Sequence, residues 1–524
     1  MTTLDYAIVA IYLVSLLGLG VFFRSQKNSK DYFLGGRTLG WPALALSVMA
    51  TQLSAISFIS APAFVGLREG GGLIWLSYEL ALPLAVIIML WRLLPTLHAA
   101  GVVSVYDYLE RRFTRSTRLL ISFVFQLSRS FATAIMIYAI SLILQGTMGL
   151  SQWHSLVAIG VITLVYSAMG GMKAVVYGDA IQMALIVMGA GLCLWAGLDA
   201  AGGWANVFAN VDGERLMAVN TESAGLTHSD FGLLPMIFGG VILYASYYGC
   251  DQSEAQRSLS AQSVGDLRKM LLTVAFCRFP ITLLYCLAGL VIGTVVMSTP
   301  AIRAQIPVES PDWMIPIFIV NYLPAGIVGL LLVAIMGAAM SSLSSAINSL
   351  SAVTVEDIQR LRKTPFSNTE YLRNAKIAGV GWGLVTLILS FYAGDIAPTV
   401  IEAINKIGSV FYGPVLATFI AGIHLTRISG KAANIGLITG VLVNVAFWLS
   451  GSPIFWFWWN LIGFVVTLGV GVIASQRFPN DTDGENNLTS VIGINRTTAL
   501  LLASWSVVLC VICLFVPDAV LSLR

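Results

Sequence analysis

Apolar stretches of about 20 residues recur along the whole chain, and that is the length a helix needs to cross the hydrocarbon core of a bilayer. They lie near 4–23, 43–66, 73–95, 118–147, 152–170, 177–200 and 232–249. The later ones lie near 268–298, 318–351, 374–393, 399–424, 432–450, 455–474 and 497–520. The pattern predicts an all-α polytopic membrane protein of about fourteen spans, because a spanning helix satisfies its own backbone where no water can. Two stretches carry interruptions. The first, 43–66, contains Thr51, Gln52, Ser54, Ser57, Ser60 and Pro62, and the second, 232–249, carries Gly239-Gly240 and runs into Tyr247-Tyr248-Gly249-Cys250-Asp251. Broken helices at corresponding places in two halves point to a midplane binding site in secondary transporters. Five spans separate the starts of these two, as a repeat of five plus five helices requires.

A third apolar stretch breaks into hydroxyls, reading Gly337-Ala-Ala-Met-Ser-Ser-Leu-Ser-Ser-Ala-Ile-Asn-Ser349. Ser341, Ser342, Ser344 and Ser345 are three and four residues apart and share roughly one helical face. Hydrocarbon offers hydroxyls no partner, so such a face needs protein, water or an ion. Hard, uncharged oxygens suit an alkali cation better than a transition metal. The alternative is that these small residues let two helices approach closely and hydrogen-bond across the contact.

Composition agrees with a membrane solvent: 57% hydrophobic and 10% charged residues over 524 positions, with a mean hydropathy of +0.84. With the N-terminus outside, 22 of the 29 Lys and Arg fall in inner segments and four in outer ones. That asymmetry predicts both termini outside the cytoplasm. Residues 1–23 lack a basic leader and read as a retained first span. The net charge of +3 reflects the loop asymmetry and implies no nucleic-acid partner. The six cysteines sit in or at the ends of apolar spans and give no disulfide framework or metal spacing. No GxxxxGK[ST] sequence occurs, so an ATP-driven motor is missing. No nucleophile, metal cluster or organic-cofactor motif argues for an enzyme. The remaining classes are a gradient-driven carrier, a channel or a membrane sensor. Short loops and inward-facing Asn-X-Thr sequons at Asn487 and Asn495 predict a bacterial inner membrane.

Asp31-Tyr-Phe-Leu-Gly-Gly-Arg37, Tyr166-Ser-Ala-Met-Gly-Gly-Met-Lys-Ala174, Asp179-Ala-Ile-Gln182 and the serine cluster follow one another in order. Together they resemble the sodium/solute symporters that include the bacterial galactose, proline and sialic acid carriers, over residues 5 to 425. The resemblance implies a leucine-transporter-type inverted repeat within one transmembrane domain, 1–524. Residues 4–23 would be an extra first helix, 41–200 and 232–424 the two repeats, and 432–520 three peripheral helices. It also implies a first sodium site on carbonyls of Ala50 and Leu53 with Ala338, Ser341 and Ser342. Some members have a second, which here would take Asp179, Ser341, Ser344 and Ser345. Asp179 could instead be solvated at its span end or paired with Lys173. One ion entering across about 100 mV contributes roughly 2.3 kcal/mol, and a tenfold gradient adds about 1.4. One or two sodium ions therefore mean accumulation of several hundredfold or its square.

By the same resemblance the solute would meet Gln52, Ser54 and Ser57 of the first broken helix, Glu79, Tyr247 as an aromatic gate, and Asn405. Arg278 falls where galactose carriers have a substrate-contacting lysine. Arg129 lies about one turn before Ala132, near where sialic acid carriers place a carboxylate-binding arginine. Glu79, Ser54, Ser57 and Asn405 suit a sugar or polyol, and Arg129 and Arg278 suit an organic acid through bidentate pairing. Glu79 could instead pair with Arg68, and Lys406 with Glu402 one turn before it. The expectation is a sodium-coupled symporter of a small polar solute working by alternating access. A proton-coupled carrier on the same scaffold, with Asp179 or Glu79 carrying the proton, and a transporter-like sensor are the alternatives.

Overall fold

A computed structural model of the chain describes residues 1–22, 35–169, 172–227, 231–362, 364, 366–479 and 490–522. Among these residues β-type pairing is confined to isolated bridges, such as Leu39 with Ala261. The longer helices are α1 (Thr3–Phe22), α2 (Trp41–Gln52), α3 (Ala55–Gly66), α4 (Leu73–Ala99), α5 (Val105–Arg112), α6 (Arg115–Met148), α7 (Gln152–Met169) and α8 (Met172–Ala201). They continue as α9 (Leu233–Cys250), α10 (Gln252–Leu259), α11 (Val264–Ser298), α12 (Met314–Tyr322), α13 (Ile327–Leu361) and α14 (Asn368–Ser390). The last four are α15 (Val400–His424), α16 (Gly430–Leu449), α17 (Trp456–Arg477) and α18 (Arg496–Leu521). Ten described helices are long and apolar enough to cross a membrane, and the bent pair α2–α3 makes an eleventh. Every predicted stretch coincides with a helix, but α14 opens with Asn368-Thr-Glu-Tyr-Leu-Arg-Asn-Ala-Lys376, which shortens its apolar part. The stretch expected at 318–351 divides: α12 stops before Pro324 and Gly326, whose φ of +87° no helix continues through, and α13 begins after them.

The first break is where the polar residues place it. Leu53 leaves helical geometry (φ −80°, ψ 57°), and Ser54 restarts the chain as N-cap of α3, its hydroxyl accepting from the Ile56 amide at 3.2 Å. The two halves bend by 53°. The second break is not at Gly239-Gly240, through which α9 runs continuously. Those glycines serve packing instead: a Cβ on Gly239 would lie 2.3 Å from the Phe457 carbonyl oxygen, and one on Gly240 2.8 Å from the Ala81 Cβ. The helix breaks at Asp251, which caps α10 by accepting from the Ser253 amide at 2.8 Å. The second half of the first broken helix, α3, is clamped by small residues on α11. A Cβ on Gly289 would lie 2.5 Å from Pro62, and one on Gly293 2.5 Å from Gly66. Backbones that approach so closely gain dispersion contact, the main source of helix association in lipid.

Candidate functional site

The end of α2 unwinds directly against the serine-bearing helix α13. Ala50, Leu53, Ala338 and Ser342 are all buried there. The Ser342 hydroxyl lies 3.1 Å from the Thr51 carbonyl oxygen and 3.2 Å from that of Ala338. An unwound terminus frees carbonyls, and the facing hydroxyl adds another hard oxygen, so this junction has the donor chemistry an alkali ion takes. The Ser341 side chain lies outside the described residues.

Beside the break is a cavity of about 720 Å³, counted to its open mouth. Gln52, Ser54, Ser57, Glu79, Arg129, Tyr247, Arg278 and Asn405 all line it. Residues from six separate stretches of sequence thus share one space. Two of the cations there have different surroundings. Arg278 Nε donates to Glu79 Oε1 at 3.2 Å, and Thr282 donates to the same oxygen at 3.0 Å. Glu79 therefore pairs with Arg278 rather than Arg68, and the two cancel in charge. Arg129 approaches Asp251 only to 3.7 Å and sits over the Tyr247 ring at 5.8 Å. Its Nε and Nη2, although buried, have no hydrogen-bond partner among the described residues. Arg278 Nη1 is likewise buried without a partner, so both guanidiniums keep donor capacity for acceptor oxygens. Tyr247 leans on Tyr412, with ring centroids 5.9 Å apart, and closes one wall of the cavity.

Asp179 lies next to Arg257 on α10: the guanidinium Nη2 is 2.8 Å from its Oδ2 and 2.8 Å from the Ser345 hydroxyl. The Ser47 hydroxyl also donates to Asp179. Asp179 is therefore paired with Arg257, whose guanidinium compensates its charge without an ion. Sequence reasoning missed Arg257 because Gln252–Leu259 is polar and reads as a cytoplasmic loop, whereas all eight of its residues are buried. The signal was available in Asp251, a capping residue directly after an apolar helix.

Ion pairs stand on both sides of the cavity. Past the end of α3, Arg68 grips Glu402 at the start of α15 through two bonds of 2.8 and 3.2 Å. Thr399 supports the same carboxylate at 2.7 Å, and Phe64 and Phe231 pack against the guanidinium. Glu402 is therefore not the partner expected for Lys406, which sits over Trp448 at 4.8 Å instead. Nearby, Asp312 in the loop before α12 accepts from the Val400 amide at 2.8 Å, and its burial raises its carboxyl to about 6. On the opposite side, Arg118 joins Asp107 of α5 (2.6 Å), Glu110 (2.9 Å) and Asp357 of α13 (3.2 Å). Glu254, also unforeseen, is buried close to Tyr247, Arg129, Asp251 and Arg257.

Comparison with known proteins agrees with this geometry. Residues 32–440 match the model of the family described as "Sodium:solute symporter family". The sodium/sialic acid symporter NanT of Aliivibrio fischeri is 27% identical over 92% of this chain and 95% of its own length. Sodium-coupled monocarboxylate transporter 2 of Danio rerio is 29% identical over 85% of this chain and 71% of its own. Among solved structures, an outward-open, substrate-bound Na⁺-coupled sialic acid symporter aligns with a TM-score of 0.81 at 26% identity, covering 92% of this chain and 100% of that one. A nucleobase-cation-symport-1 family transporter aligns at 0.53 and 15% identity over 92% of this chain and 100% of its own, which speaks to the fold alone. The expected leucine-transporter-type architecture is the one these neighbours share.

Proposed function

The chain belongs to the sodium:solute symporter family, and from that premise we propose that it imports a small organic acid together with sodium by alternating access. It is an integral membrane protein and not an enzyme. In this reading its membrane is a bacterial inner membrane with both termini outside, and its core is two five-helix repeats over 41–200 and 232–424. The first sodium ion binds where α2 unwinds, on carbonyls of Ala50, Leu53 and Ala338 and hydroxyls of Ser341 and Ser342. Sodium there holds α2 against α13 and shapes the adjoining cavity, because Gln52, Leu53 and Ser54 of the break also line it. Of the solute classes open to a cavity with these polar groups, an acid is favoured over a sugar or polyol. The observation that carries this is Arg129, a cavity-lining residue whose Nε and Nη2 have no hydrogen-bond partner among the described residues and whose carboxylate neighbour, Asp251, stays 3.7 Å away. Arg278, by contrast, bonds Glu79 directly and keeps only Nη1 buried without a partner. Several relatives carry anions by name, among them a sialic acid symporter and a monocarboxylate transporter. Gln52, Ser54, Ser57 and Asn405 would orient the rest of the molecule, and Tyr247 with Tyr412 would close over it.

Proton coupling would need a carboxylate free of a cationic partner, and Asp179 and Glu79 are each paired with an arginine. Reconstituted into liposomes, the carrier should accumulate radiolabelled short-chain or sugar-derived carboxylates when an inward sodium gradient is imposed. Neutral sugars should compete weakly. Uptake that follows an imposed pH gradient in sodium-free buffer, at the rate seen with sodium, would refute the proposal.

A further inference from the structure

We infer that Asp251 is the release partner of Arg129: as the bound acid leaves toward the cytoplasm, the Asp251 carboxylate takes over the guanidinium, and the empty carrier returns with that charge paired. The inference rests on the organic-acid reading above. Its evidence begins with a second cavity of about 260 Å³, counted to its open mouth, lined by Asp251 and by Ser128 of α6, Cys250 of α9 and Val415 of α15. The solute cavity is lined by the same three helices, through Arg129, Tyr247 and Asn405, and Tyr412 is a wall of both. From the first cavity to the second, the lining steps back along α6 and forward along α9 and α15. With both termini outside, those directions lead to the cytoplasmic ends of all three helices. Arg129 and Asp251 therefore stand on the partition between the solute cavity and a way out.

The contact between them is near but not closed. Arg129 Nη1 stands 3.7 Å from Asp251 Oδ2, inside ion-pair range but beyond a hydrogen bond. Asp251 Oδ1 is committed to α10, accepting from the Ser253 amide at 2.8 Å and from the Ser253 hydroxyl, so Oδ2 is the oxygen left for Arg129. The two residues are carried differently. Arg129 sits within α6, which is unbroken from Arg115 to Met148, whereas Asp251 is the break between α9 and α10. An approach of about 1 Å would close a charge-assisted bond of about 2.8 Å. A buried guanidinium without an anion is costly, and Arg129 is buried. While the acid is bound it supplies that anion; once it has gone, Asp251 does. Asp251 also competes with the acid for Arg129, which weakens binding and favours release.

The full-length carrier in liposomes tests this with two radiolabelled probes, lactate as a short monocarboxylate and gluconate as a sugar acid. Net sodium-driven uptake needs the empty carrier to return, whereas exchange of labelled for unlabelled solute does not. Asp251→Asn keeps a side chain that caps α10 but removes the charge. It should lower the half-saturating concentration of the transported probe about threefold and raise the ratio of exchange to net uptake about tenfold, the low end of what a charge-assisted hydrogen bond contributes. Asp251→Glu keeps the charge, and its ratio should stay close to that of the wild type. A role in capping alone would slow exchange and net uptake alike, so an unchanged ratio in Asp251→Asn would overturn the inference. An Asn-like ratio in Asp251→Glu would overturn it too. If Asp251→Asn does not fold, Asp251→Ser, another capping residue without charge, gives the same readout. Wild-type uptake of neither probe would overturn the organic-acid reading and the inference with it, whereas uptake with an unchanged ratio overturns the inference alone.

Discussion

Arg68, just past the C-terminal end of α3, and Glu402, at the N-terminal end of α15, join two helices that both line the cavity. In the proposed alternating-access cycle, with both termini outside, opening the carrier outward parts them. The pair is bidentate, at 2.8 and 3.2 Å, and its side chains are only 10% and 4% exposed. Removing one member of such a pair strands the other as a buried charge, which typically costs 3–5 kcal/mol. The slight exposure and the remaining Thr399 bond argue for the lower end, about 3 kcal/mol. In the proposed outward-open state both groups would be solvated, so that cost would fall on the closed state alone. Arg68→Gln should therefore shift the equilibrium toward outward-open by about 150-fold. A cysteine placed at Asn405, which lines the cavity, reports the shift through labelling by a membrane-impermeant maleimide in right-side-out vesicles, with the exposed Cys277 replaced by serine. Labelling should speed up strongly, net uptake should fall, and the exchanged pair Arg68→Glu with Glu402→Arg should restore part of both. Unchanged labelling and uptake in Arg68→Gln would show that this ion pair plays no part in closing the carrier.

Three further outcomes follow from the same geometry. Ser342→Ala removes one hydroxyl ligand at a buried point and should raise the half-saturating sodium concentration about tenfold, roughly 1–2 kcal/mol, measured as the sodium dependence of uptake; an unchanged value would free Ser342 from the sodium site. Arg129→Gln removes charge-assisted bonds worth about 1.5–3 kcal/mol, so a carboxylate solute should lose about 10- to 100-fold in affinity by competition assay, whereas a neutral solute would lose little. Asp312 has its carboxyl raised from 3.8 to about 6 by burial, so the fold favours its protonated form. That contribution, about 3 kcal/mol, is complete below about pH 4 and is lost as pH rises through about 6. Melting temperatures between pH 4 and 7 should fall with pH in the wild type and fall less in Asp312→Asn.

Much of the fold, and the set of residues that line the cavity, could be read from the chain because the bilayer is an exacting solvent. An apolar run of about 20 residues is driven to be helical there, so every predicted stretch is helical, with 43–66 and 318–351 each divided into two helices. Polar residues such as Thr51, Gln52 and Ser54 inside such a run mark a break because they cap and unwind backbone that hydrocarbon cannot serve. Tertiary contact decided what hydropathy could not weigh. Gly239 and Gly240 look like a hinge in sequence, yet they are the places where α9 presses against α17 and α4. Gln252–Leu259 looks like a loop, yet it lies buried, with Gln252 bonded to the α4–α5 connection and Arg257 to Asp179, Ser47 and Ser345. The choice of ion-pair partners belongs to the same class. Arg68 finds Glu402, Arg278 finds Glu79, and Arg257 finds Asp179, across separations of 334, 199 and 78 residues. A charge specifies only that it needs an opposite charge; which one it meets depends on how helices far apart in sequence are packed together.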